Sequence, residues 1–248
     1  MITFLYDGTL EGLLTAVFES YYGPVKAPDR IEIPANRQGN LLEQTVWIET
    51  DPGKAGRVWD GIRIRLSEEV METLLCAWRS EAPEAGTVIH GFLRHAFQAG
   101  PSALQHENHP AVAPLLKLSR AVLRESHRML GLTRFMALES GIYYGRIEPD
   151  YNILEILAEH FSHRLGDQLW VLHDLRRERA AIYDRQQWRV AEAPMPETLR
   201  LHPEEAAMQG YWQAYFRRIA IAERRNPQLQ RQMMPKKYWK HLTEKQSP

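Results

Sequence analysis

Phe135-Met136-Ala137-Leu138-Glu139-Ser140-Gly141-Ile142-Tyr143-Tyr144-Gly145-Arg146-Ile147 lies just past the middle of the chain and reads as a hairpin. Two strand-like runs, 135–138 and 142–147, flank Glu139-Ser140-Gly141, whose residue types favour a tight turn. Downstream, Ile153, Leu154, Leu157 and Phe161 recur at helical spacing, with Asn152 and Glu155 placed as a capping box. Three further short apolar runs follow at 169–173, 180–183 and 188–190, separated by polar turns. The order β-β-α-β-β-β predicts a small antiparallel sheet with one helix laid on it, over 132–192.

Working outward toward the N-terminus, residues 2–6 read as a strand. Thr9 is placed to cap a helix whose stripe is Leu10, Leu13, Leu14, Val17, Phe18 and Tyr21. Residues 24–44 are polar and turn-rich. A strand is expected at 46–48 and a helix over 54–65, with Val58, Ile62 and Leu66 inward. Ser67 caps the next helix and Thr87 a third, and a loop spans 100–110. A long helix over 111–130 turns Val112, Leu115, Leu116, Leu123 and Leu130 inward. Beyond the sheet, Pro194 and Pro196 mark a linker, and Pro203-Glu204-Glu205 opens a helix expected to reach Asn226-Pro227. Shorter helical pieces follow at 228–234 and 235–242. The chain reads as α+β: a mainly helical region with an N-terminal strand (1–131), the sheet unit (132–192) and a helical C-terminal arm (193–248), joined in one integrated domain.

The 248 residues carry 31 Lys+Arg and 31 Asp+Glu, with 44% hydrophobic residues, a composition that excludes a disordered chain. Cys76 is the one cysteine, so an intrachain disulfide, an iron–sulfur cluster and a Cys-rich zinc site are excluded. The N-terminus lacks the pattern of a signal peptide, and no apolar run is long enough to span a membrane, so a cytoplasmic protein is expected. Nucleotide cradles of the P-loop or dinucleotide type, zinc-protease and esterase motifs, and the zinc deaminase signature are absent, and no cofactor or metal is expected.

The zero net charge conceals unlike regions. Residues 1–86 hold 14 acidic and 8 basic side chains, net −6, whereas residues 211–248 hold 2 and 9, net +7. Lys117, Arg120, Arg124 and Arg128 share one face of a helix. On a helix running through to 226, Arg217, Arg218, Arg224 and Arg225 would fall within one arc. Such stripes suit phosphate oxygens, and equally suit an ordinary solvated face. Lys236-Lys237-Tyr238-Trp239 mixes cations with rings that either stack on unpaired bases or dock the last helix on the core.

Candidates for chemistry are scattered. Asp7 lies where a strand meets a helix, as a functional carboxylate or as a cap of the Gly8-Thr9 turn. His160 and His163 stand three apart on a helix, able to share a metal only with a further ligand, or else flanking Phe161. Asp174, followed by Arg176 and Arg177, forms either a salt-bridged turn or a phosphate site with an activated water.

Several strings together resemble the bacterial "probable DNA metabolism protein" family. They are 5–19, which opens Leu5-Tyr6-Asp7-Gly8-Thr9; Glu125-Ser126-His127-Arg128 through Arg134-Phe135; 147–154 running to 160–164; 170–177; 180–184; and 234–244 around Pro235-Lys236-Lys237-Tyr238-Trp239. The resemblance implies a domain of unknown function, found alone or fused to a uracil-DNA glycosylase-like domain and encoded beside a radical SAM protein. This chain resembles the stand-alone form. No catalytic residues are carried over.

The leading expectation is a DNA-binding accessory protein that works with a radical SAM partner in repair or modification. Arg217, Arg218, Arg224, Arg225, Lys236 and Lys237 would hold phosphates, with Tyr238 or Trp239 near a base, and the Lys117–Arg128 stripe is a second basic face. The alternatives are an enzyme gathering Asp7, Glu139, His160, Asp174 or Arg176 in one cleft, and a protein–protein adaptor without DNA contact.

Overall fold

Strand β1 (Ile2–Leu5) ends at a turn organised by Asp7 and hands the chain to helix α1 (Leu10–Tyr22). The computed structural model describes residues 1–25, 27–34, 44–196, 198–224 and 226–246. The chain is an α+β protein that divides into two compact units, residues 1–123 and 124–248. The division falls inside one long helix, residues 113–132.

In the first unit the Thr9 hydroxyl accepts the Gly12 N–H, as its cap position predicts. Leu13, Leu14, Val17 and Phe18 of α1 are buried, and Tyr21 is not. β1 is the centre of a three-stranded parallel sheet, flanked by β2 (Arg30–Glu32) and β3 (Gln44–Trp47). β2 falls in the stretch read as polar and turn-rich. Only Ile31 of its three residues is buried, so no alternation marks it. Helices α2 (Pro52–Arg65), α3 (Glu68–Arg79) and α4 (Ala85–Ala99) pack with α1 around Phe4, Ile31, Ile62, Val70, Phe92 and Leu93.

Ser67 caps α3 through the Val70 N–H, but Thr87 does not cap α4. That helix begins two residues earlier, and the Thr87 hydroxyl instead accepts the Ile31 N–H and donates to the Ile31 carbonyl, pinning β2. The loop expected over 100–110 begins as a 3-10 turn, Gly100–Gln105. Helix α5 (Ala113–Leu132) buries Leu115, Val122, Met129 and Leu132, and Val112 just ahead of it is buried too. Leu123, expected inward, is 48% exposed, because the buried face follows the 3.6-residue phase through Val122 and Met129 instead.

In the second unit the hairpin forms from β4 (Phe135–Ala137) and β5 (Tyr143–Ile147). Gly141, at φ +78°, supplies the left-handed turn residue, and its N–H bonds the Leu138 carbonyl. Helix α6 (Leu154–Arg164) then crosses to β6 (Trp170–Asp174), followed by β7 (Arg179–Tyr183) and β8 (Trp188–Glu192). The sheet runs β4-β5-β6-β7-β8 and is mixed, not antiparallel as expected: a helical crossover returns the chain in the same direction, so β5 and β6 are parallel.

Phe135, Phe161, Trp170 and Tyr183 interlock on the α6 side, with Phe135 lying 5.1 Å from Phe161 and Trp170 stacked 5.2 Å from Tyr183. The Phe135 ring lies close to Gly145, where an added Cβ would meet it at 3.0 Å, so any larger residue there has to displace the ring. The capping box does not form. α6 starts with no side-chain cap, and the N–H groups of Asp150 and Tyr151 ahead of it bond a buried carboxylate, Glu125 of α5.

The C-terminal arm is not the continuous helix expected. Helix α7 (Glu205–Arg218) stops eight residues early, and a 3-10 turn (Ala222–Arg224), helix α8 (Pro227–Met233) and a second 3-10 segment (Lys236–His241) follow. β-Branched Ile219 and Ile221 near the break have lower helix propensity than Arg217 and Arg218 just before them. No helix among the described residues is long and apolar enough to cross a membrane.

Candidate nucleic-acid interface

Helix α7 is built inside out. Its inward side is polar: Glu205 accepts the Ala137 N–H of β4 at 2.9 Å and the Gln209 amide at 2.8 Å, and Gln213 donates to the Thr243 carbonyl at 2.9 Å. Its outer side carries Met208, Tyr211, Tyr215 and Ile219 at 3–4 residue spacing, all exposed, with Tyr211 70% and Tyr215 55% accessible. Trp212 is partly engaged, donating its indole N–H to Glu244 and lying 5.3 Å from the Arg134 guanidinium. Large apolar and aromatic side chains gathered on one water-facing side of a helix are the kind of feature that contact surfaces use.

Arg217 and Arg218 close α7, where positive charge also suits the helix dipole. Both are exposed, as is Arg224. Among the described residues none of the three guanidiniums makes a hydrogen bond or an ion pair. Arg217 and Arg224 line one open groove of about 740 Å3, together with Phe216, Ile221, Leu229 and Lys245. The common arc expected of the four arginines does not exist, since α7 ends before Arg224. Arg225 lies outside the described residues.

The closing motif behaves differently. The Tyr238 ring is 2% exposed and its hydroxyl donates to Glu125, so it does not face a base. Burial pushes the Tyr238 hydroxyl up to about 12, and the Glu125 carboxylate reinforces the shift. Lys237 pairs with Asp150 and, at 3.4 Å, with Glu125. Burial opposes its charge, but the bonds to Asp150 and Tyr238 outweigh it and hold the ammonium pKa raised. Trp239 is half-buried, with its indole N–H on the Met234 carbonyl five residues back in the same arm. Lys236 is exposed and 6.0 Å from the Trp239 ring. Glu125, the acceptor at the centre of this network, opens one of the family-like strings, but the sequence reading gives its carboxylate no role. Its signal was phase: it falls three residues after Val122 and four before Met129 on the buried side of α5.

On α5, Lys117, Arg120 and Arg124 are exposed and Arg128 is half-buried. Arg120 pairs with Glu107 at 2.8 Å.

The residues proposed for chemistry are mostly consumed by structure. In the first unit the Asp7 carboxylate accepts the Thr9 N–H and hydroxyl and the Thr50 hydroxyl. Slight burial opposes its charge, and these bonds outweigh it, holding the pKa below the usual carboxylate value. Asp174 is buried, accepts the N–H groups of Arg176 and Arg177 and pairs with the Arg177 guanidinium at 3.0 Å. Burial pushes its carboxyl up, against the pull of Arg177. The Arg176 guanidinium bonds the Asp150 carbonyl at 2.9 Å, so this is the salt-bridged turn. Glu139 is exposed in the hairpin turn. His163 bonds Glu159, while the buried Nε2 of His160 has no partner among the described residues. The second unit also holds cavities at Arg134/Arg146/His241 and at Phe135/Tyr143/Trp212. None of Glu139, His160, Asp174 and Arg176 lines these cavities or the α7 groove.

No curated protein matches the chain. Residues 83–244 match a family described as a domain of unknown function, DUF4130. The match covers more than half of the chain, which belongs to this family.

Proposed function

We propose that this DUF4130 protein is a DNA-binding accessory factor that contacts a single strand through α7 and works with a radical SAM partner in DNA repair or modification. The observation that carries the DNA contact is the exposed pairing of Tyr211 and Tyr215 with Arg217 and Arg218 on one helix. Rings of this kind stack on unpaired bases, and guanidiniums without acidic partners track the phosphates. The radical SAM partner rests on the family resemblance alone. A duplex would leave the rings idle, which favours a single strand.

Fluorescence anisotropy with a labelled single-stranded oligonucleotide at low salt tests the reading. Binding is expected for the wild type, and each of Tyr211→Ala and Tyr215→Ala should cost about 1–3 kcal/mol if its ring stacks on a base. Absence of binding, alone or with the partner, overturns it.

A second reading, a protein adaptor, is favoured by the exposed aliphatic side chains Met208, Ile219, Ile221, Leu229 and Met233 around the same helix. Under that reading the radical SAM protein binds without DNA and no oligonucleotide displaces it. The enzyme reading finds little support: Asp174 and Arg176 already have structural partners.

A further inference from the structure

We infer that the cavity between Arg134, Arg146 and His241 in the second unit is a binding site for a single phosphate group. Arg146 follows Gly145 on β5, and Gly145 pairs with Phe135, which Arg134 precedes. Continuing the register sets the two arginines side by side. Arg134 is engaged through all three nitrogens: it holds Glu244 through two of them at 2.7 and 3.2 Å, and the carbonyls of Gly131 and Thr133 through the third. The other nearby acid, Glu148, is held by Lys240 at 2.6 Å and His241 at 3.0 Å. Each carboxylate is therefore claimed by another cation.

Arg146 is left over. It is half-buried and lines the cavity, and its guanidinium makes no hydrogen bond or ion pair among the described residues. A guanidinium drawn partly out of water without a counter-charge is unfavourable, and its planar fork of N–H donors matches a phosphate. The hydroxyl of Thr243, on the same wall, also has no hydrogen bond among the described residues. The cavity measures about 150 Å3. A cavity of that size is large enough to take a benzene ring, so a phosphate group fits. The ligand is either free phosphate or a phosphate presented at the end of a strand. The site does not depend on the α7 reading.

Thermal unfolding of the full chain, in phosphate against chloride at equal ionic strength, tests the site. The wild type should gain stability in phosphate. Arg146→Gln should bind phosphate about tenfold more weakly or worse, the loss expected of a charge-assisted bond. In chloride Arg146→Gln should melt no lower than the wild type, because an uncompensated charge has been removed. Arg146→Lys should keep a weakened response. A 5′-phosphorylated oligonucleotide that outperforms both its 5′-hydroxyl counterpart and inorganic phosphate assigns the site to a strand end, and equal responses to phosphate and the phosphorylated oligonucleotide assign it to the free ion. An unchanged phosphate response in Arg146→Gln, a loss of stability in that variant in chloride, or no response of the wild type to either probe overturns the proposal.

Discussion

Replacing Glu125 with Leu should destabilise the second unit by about 3–5 kcal/mol, the range for removing one partner of a buried charged network. The carboxylate accepts the N–H groups of Asp150 and Tyr151 at 3.0 and 2.8 Å, the Tyr238 hydroxyl and the Lys237 ammonium. Leucine fills the volume but orphans a buried hydroxyl and two backbone donors, each costing about 1–3 kcal/mol. Glu125→Gln keeps one carbonyl acceptor but turns an N–H2 toward the remaining donors, so it should fall between wild type and Leu. Tyr238→Phe removes one donor and leaves the others satisfied, costing about 1 kcal/mol. Calorimetry should show that order. A Glu125→Leu protein melting with the wild type would mean that the network does not anchor the closing motif.

The first unit should lose stability in mild acid through His90. The imidazole is buried in α4 with Nε2 3.0 Å from the Ser20 hydroxyl oxygen. Since Ser20 donates its own proton to the Val17 carbonyl at 2.6 Å, that oxygen accepts, and His90 carries its proton on Nε2. Burial, aided by the Arg94 guanidinium, pushes the imidazole from 6.5 down to about 4. The folded pKa lies below the unfolded one, so the unfolded chain takes up the proton first as pH falls. The contribution is complete above pH 6.5 and is lost progressively toward pH 4. At 1.36 kcal/mol per pH unit the loss between pH 6.5 and 5 is about 2 kcal/mol, and about 3 over the whole window. Most carboxylates are still ionised over the upper part of that window. Denaturant unfolding of wild type and His90→Gln should therefore diverge there, with the variant nearly flat. Parallel pH profiles would contradict the assignment.

The legible parts of the fold were those with one dominant pattern. The hairpin at 135–147 announces itself through Gly141 and two apolar runs, and α6 through Ile153, Leu154, Leu157 and Phe161. β2 was hidden because one buried residue, Ile31, between Arg30 and Glu32 makes no pattern. The end of α7 was misplaced because no Gly or Pro interrupts 211–226, and local propensity does not register where tertiary support stops.

The candidate interface was half legible. Arginines 217, 218 and 224 stood out by charge. Tyr211 and Tyr215 did not, because rings at helical spacing look like a core face, and only the polar inward side of α7 shows that this face looks outward. Tyr238 misled in the opposite sense: a ring among lysines suggests a stacking platform, yet Glu125, a charge hidden on the buried phase of α5, draws it inside.

The most direct test of a DNA contact through α7 is the salt dependence of single-strand binding. Three arginines on phosphates predict a slope of log K against log salt of about −2, and Arg217→Ala/Arg218→Ala should flatten it by about 1.4, at roughly 0.7 per phosphate. A slope that the double variant leaves unchanged, or a wild type with no salt-sensitive binding at all, would contradict the account.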